Sequence, residues 1–304
     1  MTIRASSPVA AVDIGGTKIA AALVGPEGEL LTMATMPTPG GPPHDALASL
    51  QTWLRDFLHG RPVACVGVAI PAVTRDGRVQ WISPTLPGWD GLPIAEGIAD
   101  AAGAQVWCEF DGYAAVQGEA WCGAAKGSRN AAVVIVGTGV GAGFLCDGRV
   151  IRGAVGVAGT VGWLRFPDGR SPLGQPVESY ASGPGLLRQA QAYQRPGSTP
   201  FRSAEDVFAA ASAGDAAADR AVAEATAALA SIVLTAMSTF APEIVVLSGG
   251  VGSRPDIVTR VRHLVADAGH PFSGAKTTIT ASTLAGLSSL YGAGFFAYQT
   301  IHAH

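Results

Sequence analysis

Asp13 closes an apolar run and is followed at once by Gly15, Gly16, Thr17 and Lys18. Two adjacent glycines let backbone N–H groups approach phosphate oxygens unobstructed, and a neighbouring aspartate can hold a hydrated Mg2+. An ordinary hairpin turn is the competing explanation. It is not a Walker A loop, because no G-x-x-x-x-G-K-S/T pattern occurs in the chain. A second small-residue turn, GTGVGAG over 137–143, offers phosphates the Thr138 hydroxyl and the backbone of Thr138 and Gly139. A dinucleotide-binding fold would place a helix after these glycines, whereas 144–149 reads as strand and turn. A third glycine-rich stretch, with Gly249 and Gly250, follows a strand and suits the floor under a nucleobase or ribose. Asp111 stands directly after Glu109 and Phe110 at a strand end and before a helix. A carboxylate there can accept the proton of an attacking hydroxyl in phosphoryl transfer, and a helix N-cap is its competing role.

The elements that must position these residues follow from patterning. Apolar β-capable runs at 8–14 and 18–24 flank the first turn, and a further strand is expected at 29–36. Leu47, Leu50, Leu54, Phe57 and Leu58 recur at helical spacing over 45–58. Strands are expected at 63–70, 79–82 and 104–108, with a helix over 113–125. The opening pattern then recurs: strand 131–136, glycine turn, returning strand 142–146. Helices follow at 183–193, 204–211 and 215–240, then a strand at 243–247 and a last helix near 284–298. The class is α/β. Residues 1–115 are expected to form a first lobe, onto which a C-terminal helix (284–304) packs back, and 116–283 a second.

Composition narrows the partners. The chain has 304 residues, 48% of them hydrophobic, enough for two cores and a cleft between them. Charged residues make up 14% and the net charge is −3, so no basic stripe offers itself to nucleic acid. The four cysteines, Cys65, Cys108, Cys122 and Cys146, form no close pair and read as buried free thiols. No run of about 18 uninterrupted apolar residues occurs, so no membrane partner and a cytoplasmic location are expected.

Several stretches together resemble the ROK family of repressors and sugar kinases: AVDIGGTKIAAALV from 11, GVAIPAVTRDGRV from 67, PTLPGWDGLPI from 84 and FDGYAAVQGEAWCGAAKG from 110. GTGVGAGFLCDGRVIRGAVGVAG from 137, VESYASGPGL from 177 and VVLSGGVG from 245 continue the resemblance. It implies a two-lobed actin-like ATPase, or ribonuclease H-like, fold hinged around a cleft. In such a protein Asp13, Gly15, Gly16, Thr17 and Lys18 meet the phosphates of ATP, with Mg2+ near Asp13. Thr138 and Gly139 cradle them, Gly249 and Gly250 lie under the nucleoside, and Asp111 is the catalytic base. Homodimerisation is carried over with the family. With the first phosphate loop beginning within fifteen residues, the kinase branch of the family is expected rather than a repressor carrying a DNA-binding domain.

The departures bear on substrate. Where sugar-recognising members carry Asn before the catalytic Asp, this chain has Phe110, and where they carry a Pro-Asn pair it has Pro84-Thr85. Their Gly-Glu-Ile-Gly-His becomes Gly159-Thr160-Val161-Gly162-Trp163. Glu178, a sugar contact in the family, is kept, and Glu109, Glu178 and Asp90 are the candidate partners for a substrate amine. Between Trp163 and Glu178 there is no His or Cys, so the family's structural zinc is not expected. A buried polar group left without its partner costs about 1–3 kcal/mol, so a site lacking four usual ligands is not built for plain glucose. The expected substrate is a modified sugar such as an aminosugar of the kanosamine type, phosphorylated on its primary hydroxyl as in specialised antibiotic metabolism. A C7-cyclitol or glucose is the alternative, and a polyphosphate donor or a non-catalytic sugar sensor is the rival reading.

Overall fold

The computed structural model describes residues 8–82, 86–167, 171–269 and 277–302. Thr85 therefore lies outside the described residues. Two compact units are present: Met1–Gly127 with Val150–Ala158 and Leu287–His304, and Ser128–Arg149 with Gly159–Gly286.

In the first unit, β1 (Val9–Ile14) and β2 (Lys18–Val24) form an antiparallel hairpin around the first glycine turn, and β3 (Leu30–Pro37) extends it. Helix α1 (Pro43–Leu58) leads to β4 (Cys65–Ile70), which is parallel to β1. A small hairpin, β5 (Ala72–Arg75) and β6 (Arg78–Ile82), turns at Asp76-Gly77. Helix α2 (Ile94–Ala102) precedes β7 (Gln105–Phe110), and α3 (Asp111–Cys122) follows directly. The sheet order is β3-β2-β1-β4-β7. Alternation along the strands sends Val12, Ile14, Val66 and Val68 to a core closed by Leu50 and Leu54 of α1 and Ile94 and Ile98 of α2. The other face carries Val9, Ala11, Ala20, Ala22 and Ala69 against α10 (Ser288–His302). That face is small because helices lie close on it: a Cβ at Gly292 would stand 1.7 Å from the Ala114 carbonyl oxygen, and one at Gly67 would stand 1.8 Å from that of Ala293. Glu119, fully buried in α3, accepts hydrogen bonds from the Ser288 hydroxyl (2.6 Å) and the Ala124 N–H (2.8 Å), tying α10 to the end of α3. The whole of α3 belongs to this unit, so the expected boundary at 115 falls inside a helix.

The second unit repeats the plan. Strands β8 (Ala131–Val136) and β9 (Val140–Cys146) form an antiparallel hairpin, and β10 (Arg149–Val150) adds to it across Asp147-Gly148. A single 3-10 turn, Val161–Trp163, leads to the short pair β11 (Arg165–Phe166) and β12 (Gln175–Pro176). Helices α4 (Glu178–Ala181), α5 (Gly183–Tyr193), α6 (Ala204–Ser212) and α7 (Ala216–Phe240) follow. Strand β13 (Ile244–Ser248), the short α8 (Gly249–Gly252), α9 (Pro255–Asp267) and β14 (Thr278–Ala281) complete the unit. The order β10-β9-β8-β13-β14 mirrors that of the first sheet, with β8, β13 and β14 parallel. Helix α7 is long and apolar enough to cross a membrane, yet most of it is buried, with Leu229, Ile232 and Val233 in the interior. The thiols divide: Cys65 is buried, Cys108 and Cys122 are half-buried, and Cys146 is exposed, contrary to the expectation of four buried cysteines.

Candidate active site

Carboxylates gather where parallel strands end. Asp13 near the end of β1 is in register with Ala69 of β4, which is in register with Glu109 of β7, so the three form one row across the sheet. Asp111 follows two residues beyond Glu109, as the first residue of α3 rather than its cap. Its Oδ1 accepts the Gly112 N–H at 2.7 Å, and its backbone carbonyl accepts the Ser289 hydroxyl of α10 at 3.2 Å. Both aspartates keep some contact with solvent. Burial pushes the Asp111 carboxyl up to about 6, opposed by the Gly112 hydrogen bond. Asp13 is pushed up to about 7 by burial, then by the charge of Asp111, against the pull of Lys18. Asp111 ionises first, so Asp13 is the group that feels its neighbour's charge. Next to this pair the first turn is braced internally: the Gly15 N–H donates to the Lys18 carbonyl (3.0 Å) and the Thr38 hydroxyl to that of Gly15 (2.5 Å). Gly16 is half-buried, and Thr17 and Lys18 are exposed.

Glu109 is not a free partner for a substrate amine. Its Oε2 receives Arg152 Nη2 at 2.6 Å, and its Oε1 lies 3.3 Å from the Phe110 nitrogen. Phe110 is buried, meets Tyr113 edge-on at 5.1 Å between ring centres, and lines a cavity of about 410 Å3 with Val73, Trp107 and Arg152. Trp89 sits in the hydrophobic core.

In the second unit the other two glycine turns converge. Gly137 and Gly249 follow the ends of neighbouring strands β8 and β13. At Gly249 (φ +83°) a Cβ would stand 2.4 Å from the Val136 carbonyl oxygen, so only glycine lets the two turns approach. The Gly183 N–H of α5 donates to the Gly137 carbonyl at 2.8 Å and Ser182 caps Gly185, so this helix end braces the turn. Around Gly137 and Gly141 nothing lies within 4 Å of a would-be Cβ, leaving open backbone; Thr138 and Gly250 are exposed. Glu178 reaches back, its Oε2 accepting the Val140 N–H at 2.8 Å. Gly162 packs against both Val140 and Glu178, which brings Thr160 and Trp163 beside the same turn. Thr160 is half-buried, with its carbonyl accepting the Trp163 N–H, while the Trp163 side chain is 57% exposed. Among the described residues no group of three or more His, Cys, Asp or Glu is placed to hold a metal.

A model of the ROK family matches residues 9–300. The chain belongs to the ROK family. This ROK chain is 38% identical over 199 residues to a glucokinase of Streptomyces coelicolor, a match spanning 63% of the chain and 61% of that relative's length. It is 32% identical over 262 residues to an N-acetylmannosamine kinase of Citrobacter koseri, covering 84% of the chain and 88% of the relative. The crystal structure of a ROK family glucokinase from Streptomyces griseus, in complex with glucose and AMPPNP, superposes with a TM-score of 0.80 at 26% identity, over 96% of this chain and 99% of that one. The fold of this ROK protein is accordingly that of the actin-like ATPases.

Proposed function

We propose that the protein is an ATP-dependent sugar kinase in which Asp111 takes the proton from a primary hydroxyl of the acceptor. The observation that carries this reading is the carboxylate pair: Asp111, at the head of α3 just beyond β7, lies close enough to Asp13 for its charge to act there, and burial raises its basicity. A base poised near the working pH accepts a proton as the O–P bond forms and stays ionised between turnovers. The residues present fit Mg-ATP. Asp13 and Asp111 are two close carboxylates opposed only by Lys18 among Asp13's charged neighbours, and the 137–141 turn offers open backbone. When bound, Mg2+ would supply charge neutralisation at the phosphates. Gly15 to Lys18 and Thr138-Gly139 hold the phosphates, and Gly249 and Gly250 shape the floor under the nucleoside.

For the acceptor, the reading is a modified sugar, an aminosugar of the kanosamine type. Phe110 presents an apolar ring where the family resemblance expects an amide, and Thr160 and Trp163 stand in place of a Glu and a His. Glu109 is already neutralised by Arg152 and Asp90 is exposed, so Glu178 is the carboxylate proposed for an amine. The N-acetylmannosamine kinase among the relatives supports an amino-substituted acceptor, and the glucokinases support glucose.

The test measures ATP-dependent phosphorylation of glucose, kanosamine, N-acetylmannosamine and a C7-cyclitol. Asp111→Asn is expected to lower kcat by at least 1000-fold while nucleotide binding persists, and kcat/KM of the wild type is expected to fall as the pH drops below about 6. Glucose preferred more than tenfold over the amino compounds would remove the aminosugar assignment, and full turnover by Asp111→Asn would remove the base.

A further inference from the structure

Arg152 belongs to a nine-residue excursion. Residues 150–158 lie in the first unit, while the chain on both sides, up to Arg149 and from Gly159, lies in the second. Within the first unit Arg152 makes the excursion's polar and ring contacts, beside Val150, which packs on the core under α10, and Gly156, which lies close to Val73. Arg152 pairs with Glu109, and its guanidinium lies over the rings of Tyr113 (5.8 Å) and Phe296 (5.7 Å). Its carbonyl accepts the Tyr113 hydroxyl at 3.0 Å. Glu109 and Tyr113 stand two residues before and two residues after Asp111, so Arg152 holds the chain on both sides of that carboxylate.

We infer that Glu109 and Arg152 are positioning residues, an ion-paired latch that fixes the backbone presenting Asp111 and ties it to the segment leading into Thr160 and Trp163. The inference rests on the reading of Asp111 as the base. The chemistry favours orientation over stability as the pair's purpose. The Glu109 side chain is 9% exposed and that of Arg152 44%, so the carboxylate has given up most of its hydration. Such a pair gains little over well-packed neutral residues, yet losing one partner strands the other charge. What a neutral pair cannot reproduce is direction. The carboxylate splits between Arg152 on one oxygen and the Phe110 nitrogen on the other, and the planar guanidinium meets two aromatic faces at once. The Ser289 bond to the Asp111 carbonyl completes the bracket from α10.

The experiment separates latch from ballast by comparing Arg152→Met, Glu109→Gln and their double variant. Arg152→Met is expected to lower both the melting temperature and kcat. The double variant leaves no uncompensated charge and is expected to regain most of the melting temperature, while kcat stays at least tenfold below wild type and KM for ATP stays within threefold. Arg152→Lys, which keeps the charge without the planar contacts, is expected to fall between and serves if the neutral variants do not fold. A double variant, or Arg152→Lys in its place, with wild-type kcat would overturn the latch. The second readout is independent of turnover: amide hydrogen exchange of residues 110–113, the stretch of backbone that Glu109 and Arg152 bracket. Loss of the latch in the double variant is expected to speed that exchange at least tenfold while exchange within α1 is unchanged. If no sugar is phosphorylated by the wild type, the kinase reading fails and this exchange alone decides: faster exchange confined to 110–113 supports the latch, and an unmoved rate rejects it.

Discussion

Asp13 carries the largest consequence of packing charge beside charge. Its carboxyl ionises at about 7 in the folded chain against an ordinary 3.8, so between those values the native state holds a proton that the unfolded state has released. Stability from this group is complete below about pH 4, drains as the pH rises and is gone above about 7. Asp13→Asn should therefore stabilise the protein at pH 8 by an amount on the order of 2 kcal/mol, discounted for partial solvent contact, and by almost nothing at pH 4. Urea unfolding at the two values tests this, and equal gains at both would contradict it. The aspartates and glycine turns were legible in the sequence because each lies in a local pattern of strand, turn and small residues. Arg152 and Ser289 were not. They reach Glu109 and Asp111 across 43 and 178 residues, and nothing in the neighbourhood of either marks it as a partner.

Elements reveal themselves in proportion to their length and amphipathic contrast. Helix α1 declares its buried face through Leu47, Leu50, Leu54 and Leu58, and α5 and α7 match the expected spans to within a residue. Strands β5 and β14 have four residues each, too few for alternation to register, and both went unexpected. Helix α9 was also missed, although Pro255 at its start and Ile257, Val258, Val261 and Val265 carry the helical signal. Helix α10 begins at Ser288 rather than 284, and its buried face is built of Gly292, Ala293 and Ala297 beside larger side chains. Those small residues set the distance between α10 and α3. Gly292→Ala would force a methyl group into the Ala114 carbonyl, a backbone group that cannot rotate away, and should cost about 2–3 kcal/mol or more. Gly40→Ala, with open space around it, should change stability by less than about 0.5 kcal/mol. Comparable denaturation midpoints for the two variants would show that the helices part more easily than their backbone contact implies.

At the scale of the molecule, the repeated sheet order explains why the opening pattern of the sequence returns near residue 131. The composition of each unit was less legible, because membership depends on where distant segments dock. The first unit is assembled from three stretches of chain. A fragment ending at Gly127 keeps all five strands of its sheet but lacks α10, leaving Ala11, Ala20, Ala22 and Ala69 without their cover. Such a fragment should bind ANS, show weak near-UV circular dichroism and unfold without a sharp transition. Cooperative unfolding with native-like near-UV signal would mean that the sheet is stable with one face bare.

The docking of α10 also dictates an order of events during synthesis. The strands of that sheet leave the ribosome first, but the helix follows only after roughly 180 further residues, a delay of about 9–35 s at ordinary elongation rates. Through that interval the N-terminal sheet exists with an open flank, and the later-made half has the means to mature ahead of the earlier one.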